Sequence, residues 1–286
     1  MSSSLSGLPE LEVDLDLIRR LDRNGPRYTS YPTADRFEAT FSPETYRNQV
    51  AAHDAARPLS LYVHIPFCNT LCFYCACNKI ITKDHSKSAR YIQYLVKELE
   101  MQAALFKGKP RLEQLHWGGG TPTFLSDNEM RTLMAAIGKY FSLVKDGEYS
   151  IEIDPRKVQD HTIKLLAELG FNRISLGVQD FDPDVQKAVN RIQSEEETLQ
   201  VIHAARANGF KSVSIDLIYG LPKQTLEGFR ATLNKVIAAD PDRLSIYNYA
   251  HLPTVFMPQR RISEADLPSP QAKLDILKLA VNMLTE

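Results

Sequence analysis

The sequence predicts an α/β fold built around a parallel sheet, and three observations predict it. From about residue 59, short apolar runs rich in β-branched residues alternate six times with longer runs of helical spacing, the pattern of strand, crossover helix and next parallel strand. Several of the short runs are apolar on consecutive residues, as strands covered on both faces are. The chemically unusual residues fall just after the short runs, where parallel sheets collect their ligands. On these grounds the sheet is either open or curled into a barrel.

Residues 1–55 read as an arm. Met1 to Pro9 is a Ser-rich tail without the basic and apolar regions of a secretory signal. Leu11–Leu21 has helical apolar spacing, and Ser42-Pro43-Glu44 is a helix start leading into Thr45–Ala55. Between them, the two prolines and the glycine of Gly25-Pro26-Arg27-Tyr28-Thr29-Ser30-Tyr31-Pro32-Thr33 exclude a helix. That segment either laces over a domain surface or touches a ligand directly.

Residues 56–286 read as the core domain. Strands are expected at Ser60–Ile65, Gln114–Trp117, Tyr149–Ile153, Arg173–Val178, Ser212–Tyr219 and Arg243–Tyr249. Helices are expected at Ala89–Phe106, Asp127–Phe141, Thr162–Leu169, Glu196–Asn208, Leu226–Ala239 and Gln271–Leu284. Ser126-Asp127-Asn128-Glu129 fits a capping box, and Gly170 and Gly209 stand where helix-ending glycines belong. The cysteines then follow the first strand, Gly118-Gly119-Gly120 the second, Asp154 the third, Gln179-Asp180 the fourth, Tyr219-Gly220 the fifth and Ala250-His251 the sixth.

Composition narrows the function classes. The 286 residues carry 34 Lys+Arg against 35 Asp+Glu, a formal charge of −1, without the basic excess of a nucleic-acid binder. A content of 43% hydrophobic and 24% charged residues is that of a globular protein, and no run approaches the roughly 18 apolar residues of a membrane span. A cytoplasmic, reducing location is the expectation. All four cysteines lie between residues 68 and 77, and in such a compartment clustered thiols bind metal or do chemistry.

Cys68-Asn69-Thr70-Leu71-Cys72-Phe73-Tyr74-Cys75-Ala76-Cys77 is the strongest signal. Three thiolates on one loop can converge on three corners of a cubane, whereas four would normally close a 4Fe-4S cluster. With three, one iron stays open for a substrate. The competing reading is a closed zinc site using all four thiols, which the single residue between Cys75 and Cys77 would strain.

CxxxCxxC with an aromatic residue before the last cysteine, here Tyr74, resembles the radical S-adenosylmethionine (SAM) enzymes. More closely, Tyr62-Val63-His64-Ile65-Pro66-Phe67-Cys68, Cys75-Ala76-Cys77-Asn78, His116-Trp117-Gly118-Gly119-Gly120-Thr121-Pro122-Thr123 and the 25–33 segment resemble the oxygen-independent coproporphyrinogen III oxidases of haem biosynthesis. The resemblance runs from about residue 10 to the last. It implies a partial (β/α)6 barrel, a 4Fe-4S cluster on Cys68, Cys72 and Cys75, and SAM on the open iron held by Tyr62, Gly118 and Glu152. A second SAM is implied at Tyr74, Gly119, Gly120, Gln179, Arg191, Asp216 and Ala250.

Bottom-up readings stand beside these. Glu152 can accept hydrogen bonds from a cationic or hydroxylated ligand, or it can be a surface strand residue. Asp216 lies within apolar Ile215-Asp216-Leu217-Ile218, where an unpaired carboxylate is costly, so it needs a partner or a ligand. Gln179 and Arg191 suit a ligand's polar groups or a strand-end salt bridge. Cys77 is expected to assist turnover without binding iron. His64 is either catalytic or a packed, hydrogen-bonded core residue, and the signals at His116 and His251 are weaker.

The chemistry that the resemblance implies is radical decarboxylation. One electron from the reduced cluster splits SAM, the 5′-deoxyadenosyl radical takes hydrogen from a propionate β-carbon of coproporphyrinogen III, and two rounds give protoporphyrinogen IX. Partners are then the porphyrinogen and a donor such as a flavodoxin or ferredoxin, with the protein a monomer that binds no nucleic acid. Arg27 is a candidate for the propionates. The alternative is a haem-binding or haem-delivering relative without oxidase activity. Members of the family run well past residue 286 into a helical C-terminal domain over the active site. The chain is therefore expected to lack that cover, to leave its pocket open to water and oxygen, and to turn over porphyrinogen weakly or not at all.

Overall fold

In the computed structural model the described residues are 31–285 together with Asp14, Asp16, Leu17 and Arg20. The helix expected over Leu11–Leu21 falls largely outside them, as do Arg27 and most of the 25–33 segment. Ser42 accepts a hydrogen bond from the Thr45 amide and starts α1 (Pro43–Ala51), which ends short of the expected Ala55.

The core follows as β1 (Leu59–Ile65), β2 (Phe67–Cys68), β3 (Ile80–Ile81), α2 (Ser86–Ala103), β4 (Arg111–Gly119), α3 (Asp127–Tyr140), β5 (Ser142–Ile153) and α4 (Asp160–Glu168). It continues through β6 (Arg173–Gln179), α5 (Pro183–Ala188), α6 (Glu195–Ala207), β7 (Ser212–Tyr219), α7 (Leu226–Ala238), β8 (Arg243–Asn248) and α8 (Pro270–Thr285). Six strands form one sheet in the order β1-β4-β5-β6-β7-β8, and each neighbouring pair is parallel. Each strand of this sheet lies beside the next of the six in chain order, with β2 and β3 forming a separate pair, and β1 and β8 are left as the two edges. This is a partial (β/α)6 barrel.

The two faces of this sheet obey different rules, which corrects the expectation of strands apolar on both sides. Burial alternates along β5, β6 and β7. Ile151, Ile153, Ile174, Leu176, Val178, Val213, Ile215 and Leu217 take the outer phase and join the apolar core. The inner phase carries Glu152, Ser175, Gly177 and Asp216, which line a cavity. A sheet that curls around a ligand needs one dry face under its helices and one polar face toward the hollow.

Most boundaries fall within a few residues of expectation. β5 starts seven residues before Tyr149, at Ser142. The register with β4 jumps from Leu112↔Leu143 to Gln114↔Glu148, so Lys145-Asp146-Gly147, which reads as a turn, is an irregularity inside the strand. Ser126 and Glu129 form the expected capping box at α3, and Ser194 and Glu197 form another at α6. Gly170 and Gly209 follow their helices at φ +94° and +78°, the left-handed end geometry that favours glycine. The short α5 and the β2–β3 pair carry too few residues for a periodic signal. Among the described residues, no helix is long and apolar enough to cross a membrane.

Candidate active site

The cysteine loop hangs between two short strands. β2 and β3 pair in parallel, with the Ile80 amide donating to the Pro66 carbonyl at 2.7 Å and the Thr82 amide to the Cys68 carbonyl at 3.0 Å. Inside the loop, the Cys75 amide donates to the Cys72 carbonyl at 3.2 Å. Lys79 Nζ donates to the carbonyls of Cys75 and Cys77, at 2.9 and 3.2 Å. From outside, the Phe73 amide donates to the Val189 carbonyl at 2.9 Å, and Asn190 Nδ2 to the Leu71 carbonyl at 2.7 Å. All four cysteines are free thiols.

The surroundings treat the thiols unequally. Thr121 Oγ1 donates to Cys68 Sγ at 3.5 Å, while burial raises the Cys68 pKa. Cys72 is buried and receives Arg191 Nη1 at 3.6 Å and Arg156 Nη2 at 3.9 Å. Cys75 is pulled down to about 6, first by a hydrogen bond from the Cys77 thiol, against burial, and then by the Cys77 amide and Lys79. Cys77 moves up, because it donates to Cys75 and is itself desolvated. The fourth thiol therefore keeps its proton and offers it to a neighbouring thiolate.

A cavity of about 540 Å³ opens at the carboxyl ends of the strands. On its wall are Cys68, Cys72, Cys75 and Cys77, together with Tyr74, Gly119, Gly120, Glu152, Gln179, Arg191 and Asp216. Residues more than a hundred positions apart are thus brought to one place. Tyr62, His64, Gly118 and Ala250 are not on this wall. Tyr62 Oη is 2.9 Å from His64 Nδ1, and His64 Nε2 is 2.9 Å from the Asn78 carbonyl. Because a carbonyl only accepts, the His64 proton sits on Nε2 and Tyr62 donates to Nδ1. Both ring nitrogens are therefore engaged, as in the packed reading of His64. Burial and the nearby Glu152 carboxylate push Tyr62 up to about 12, so it stays protonated. Ala250 is exposed, and its carbonyl accepts from Gln259 Nε2 at 3.2 Å. The same nitrogen donates to the Tyr74 carbonyl at 3.1 Å, tying Ala250 to the cysteine loop.

Glu152 is half-exposed on the cavity wall, and both its oxygens are engaged. Its Oε2 accepts from the Gly119 amide at 3.1 Å, and its Oε1 is 3.2 Å from His116 Nε2. His116 Nδ1 lies 2.6 Å from Ser150 Oγ, and the His116 ring stacks on Tyr62 at 5.7 Å. Gly118 makes room for this pairing, since a Cβ there would lie 2.8 Å from Glu152 Oε1 and 3.0 Å from His116 Nε2. Gly119 has φ +119°, and a Cβ there would lie 2.7 Å from His64 Cε1. A Cβ on Gly120 would stand 2.7 Å from the Pro66 carbonyl oxygen, so the cysteine loop and the glycine turn could not both hold their positions.

Asp216 has the partner its apolar strand demands. Ser175 Oγ donates to Oδ2 at 2.9 Å, and burial still raises its pKa against hydrogen bonds from Ser175 and Ser245. Arg191 is buried and donates Nη2 to the Gly177 carbonyl at 2.5 Å. Asp154 joins it at 3.3 Å and Arg156 at 2.5 Å, with side chains 8%, 18% and 16% exposed for Arg191, Asp154 and Arg156. Asp154 stood at a strand end by sequence, whereas Arg156, Lys79 and Ser175 carried no signal. The weak signal at His116 proves to mark a partner of Glu152.

These residues suit a cluster and an amino-acid cofactor. One buried guanidinium, Arg191, and one half-buried, Arg156, face the Cys72 sulfur, and such cations stabilise thiolates. Arg191 Nε is buried with no partner among the described residues, a donor left for a ligand on a wall that Arg191 lines. Gly119, Gly120, Glu152 and Asp216 add close backbone approach and acceptors for hydroxyl or ammonium groups.

The Radical SAM superfamily profile matches residues 62–236. Oxygen-independent coproporphyrinogen III oxidase of Pseudomonas aeruginosa is 54% identical over 280 residues, 97% of this chain and 61% of that protein. The Escherichia coli enzyme of the same name is 50% identical over 277 residues, 97% of this chain and 60% of that protein. The solved structure of coproporphyrinogen III oxidase from Escherichia coli superposes with a TM-score of 0.90 at 49% identity, covering 97% of this chain and 62% of that one. A radical SAM methyltransferase of Kitasatospora setae, at 16% identity and TM-score 0.54, shares the fold. The chain spans about 60% of the length of the curated relatives it matches. With the profile lying over β1 to α7 and the thiols, glycines and carboxylates gathered on one wall, the chain belongs to the radical SAM superfamily, whose 4Fe-4S cluster and SAM its cavity fits.

Proposed function

We propose that this chain carries the radical SAM part of an oxygen-independent coproporphyrinogen III oxidase, which decarboxylates two propionates to vinyl groups in haem biosynthesis. The observation that supports this most is one cavity wall holding three cluster thiols, Cys77, and the Gln179, Arg191 and Asp216 set that a second SAM would use. The relatives at 54% and 50% identity carry that enzyme's name.

Cys68, Cys72 and Cys75 would hold the cluster. Tyr62, Gly118 and Glu152 would hold the SAM on its open iron, and Tyr74, Gly119, Gly120, Gln179, Arg191, Asp216 and Ala250 a second SAM. When bound, the cluster and SAM supply a carbon radical able to take hydrogen from an unactivated carbon. The chain's residues do the rest. Glu152, oriented by His116 and the Gly119 amide, accepts from hydroxyl or ammonium groups. His64 keeps Tyr62 in place. Cys77, on the same wall as Cys75, would serve as a hydrogen donor without binding iron.

The wall itself does not supply the propionate site. Its cations Lys79, Arg156 and Arg191 face the carboxylates Glu152, Asp154, Glu197 and Asp216. Basic groups for four propionates are therefore sought off this wall, with Arg27 the first candidate. In this reading residues 1–55 are an arm to a core at 56–286, and the protein works in the cytoplasm as a monomer reduced by a flavodoxin or ferredoxin.

The decisive assay gives anaerobically reconstituted protein reductant, SAM and coproporphyrinogen III. Release of carbon dioxide and 5′-deoxyadenosine is expected. Tight haem binding with neither product would overturn the oxidase reading in favour of a haem carrier. A Cys77→Ser variant should keep its iron and lose decarboxylation, and full retention of both would remove Cys77 from the mechanism.

A further inference from the structure

The segment carrying Arg191 reaches the cluster loop at three points. The Val189 carbonyl accepts from Phe73, Asn190 Nδ2 donates to Leu71, and Arg191 Nη1 donates to Cys72 Sγ. Asn190 sits at φ +55° and the preceding strand ends on Gln179 at φ +69°, a conformation that the surrounding structure has to impose.

What imposes it is a buried polar network. Gln186 donates both amide protons, to the Asp180 carbonyl at 2.9 Å and the Gln193 carbonyl at 2.8 Å. Its Oε1 accepts the Gln193 amide at 3.0 Å, and its own carbonyl accepts the Arg191 amide at 2.8 Å. One side chain thus closes the 186–193 turn from both ends. The Asp180 carboxylate is 1% exposed. It accepts from Thr232 Oγ1 at 2.5 Å, Gln224 Nε2 at 2.6 Å and the Asp182 amide at 2.9 Å. Gln224 makes all four of its amide bonds, donating also to the Ile218 carbonyl at 3.0 Å and accepting the Gly220 and Leu221 amides at 2.6 and 3.3 Å. The network joins the loops after β6 and β7 to α7.

None of Asp180, Gln186, Gln224 and Thr232 lines the cavity. All four are buried, and a satisfied buried polar network specifies one geometry. We infer that Gln186 and Asp180, supported by Gln224 and Thr232, are positioning residues that seat the 189–191 segment against Leu71–Phe73 and thereby set the place of the Cys72 thiol and of Arg191. This rests on the assignment of Cys72 as a cluster ligand.

The test compares Gln186→Leu with Leu133→Ala, a core substitution between α3 and the sheet. In the metal-free full chain, hydrogen exchange at the Phe73 and Cys75 amides is expected to quicken about tenfold in Gln186→Leu, the factor that roughly one lost hydrogen bond gives, and to follow only global opening in Leu133→Ala. After anaerobic reconstitution, Gln186→Leu should keep its iron, show a changed electron paramagnetic resonance signal on adding SAM, and bind SAM about tenfold more weakly. Wild-type local exchange together with wild-type SAM affinity in folded Gln186→Leu would overturn the inference. Should that variant not fold, Thr232→Val is expected to quicken the same amides and Thr232→Ser to restore them, and equal behaviour of the two would overturn it. Wild-type protein that takes up no cluster would sink the cofactor assignment instead, while the exchange comparison would still decide the positioning role.

Discussion

On the outer face of the sheet, Ile151, Ile174, Leu176 and Ile215 pack under the helices with almost no exposure. On the inner face, the alternate positions Glu152, Ser175, Gly177 and Asp216 meet a cavity. The outer residues gain by leaving water and by dense packing, each worth about 1.5–3 kcal/mol when fully buried. The inner carboxylate Asp216 loses by the same burial, which pushes its pKa up. One strand therefore contributes stability on one side and tolerates its cost on the other, as sites that must bind a ligand commonly do.

Substitutions on the two faces should diverge. The largest loss is expected from Leu176→Ala, about 2–5 kcal/mol through the cavity it leaves, read as a denaturation midpoint in the metal-free chain. A cost near zero would break the contrast. Asp154→Asn should cost about 3 kcal/mol, because it leaves the guanidiniums of Arg191 and Arg156 without their carboxylate. Burial alone would raise the Asp154 pKa, but hydrogen bonds from Arg156 and the charges of Arg191 and Arg156 outweigh it and lower it. Its contribution is thus full above about pH 4, the ordinary carboxylate value, and is lost as pH falls through the lowered folded value. Acid titration of stability should show this step in wild type and not in Asp154→Asn.

Gly119→Ala should cost about 1–3 kcal/mol, since alanine resists φ +119° and its Cβ meets His64; SAM binding should fall with it. An unchanged SAM affinity would show that the glycine turn is packing alone. The smallest change is expected from Asp216→Asn, which should raise metal-free stability at neutral pH by about 0.5–1 kcal/mol. Its raised pKa means the ionised form strains the fold, and the strain lifts as pH falls through the raised folded value. The same variant should bind SAM about tenfold more weakly. Destabilisation with unaltered SAM binding would reverse the contrast between the faces.

How much was legible depended on whether a residue's neighbours were local. The cysteine loop, the glycine triplet and Asp216 were readable because each breaks a local rule: thiols crowded on one loop, glycines at a strand end, a carboxylate among aliphatics. The strands are legible except for the first seven residues of β5, but their two faces are not, since Ser175 and Gly177 are small enough to pass for core between Ile174, Leu176 and Val178. Arg156 is invisible because the fold brings Cys72 to it from 84 residues away, and Lys79 and Gln186 because their partners are backbone groups, which leave no mark on side-chain pattern. Gln186 sits in a helix too short to show a period, and its amide's three hydrogen bonds go to backbone groups of Asp180 and Gln193, six and seven residues away, which no periodic signal marks. The Glu152–His116 pairing likewise needs two strands in register.

The parallel pair that brackets the cysteine loop has a consequence for assembly. Its backbone bonds, with the Gly120 amide on the Ile65 carbonyl at 2.8 Å, close the ring of chain from Cys68 to Thr82 by peptide groups. The entropy of gathering the ligands is therefore met during folding. Zinc fingers, by contrast, fold only when the metal arrives. Here iron and sulfide would be delivered to a finished receptacle, and their loss would empty it without unravelling the chain.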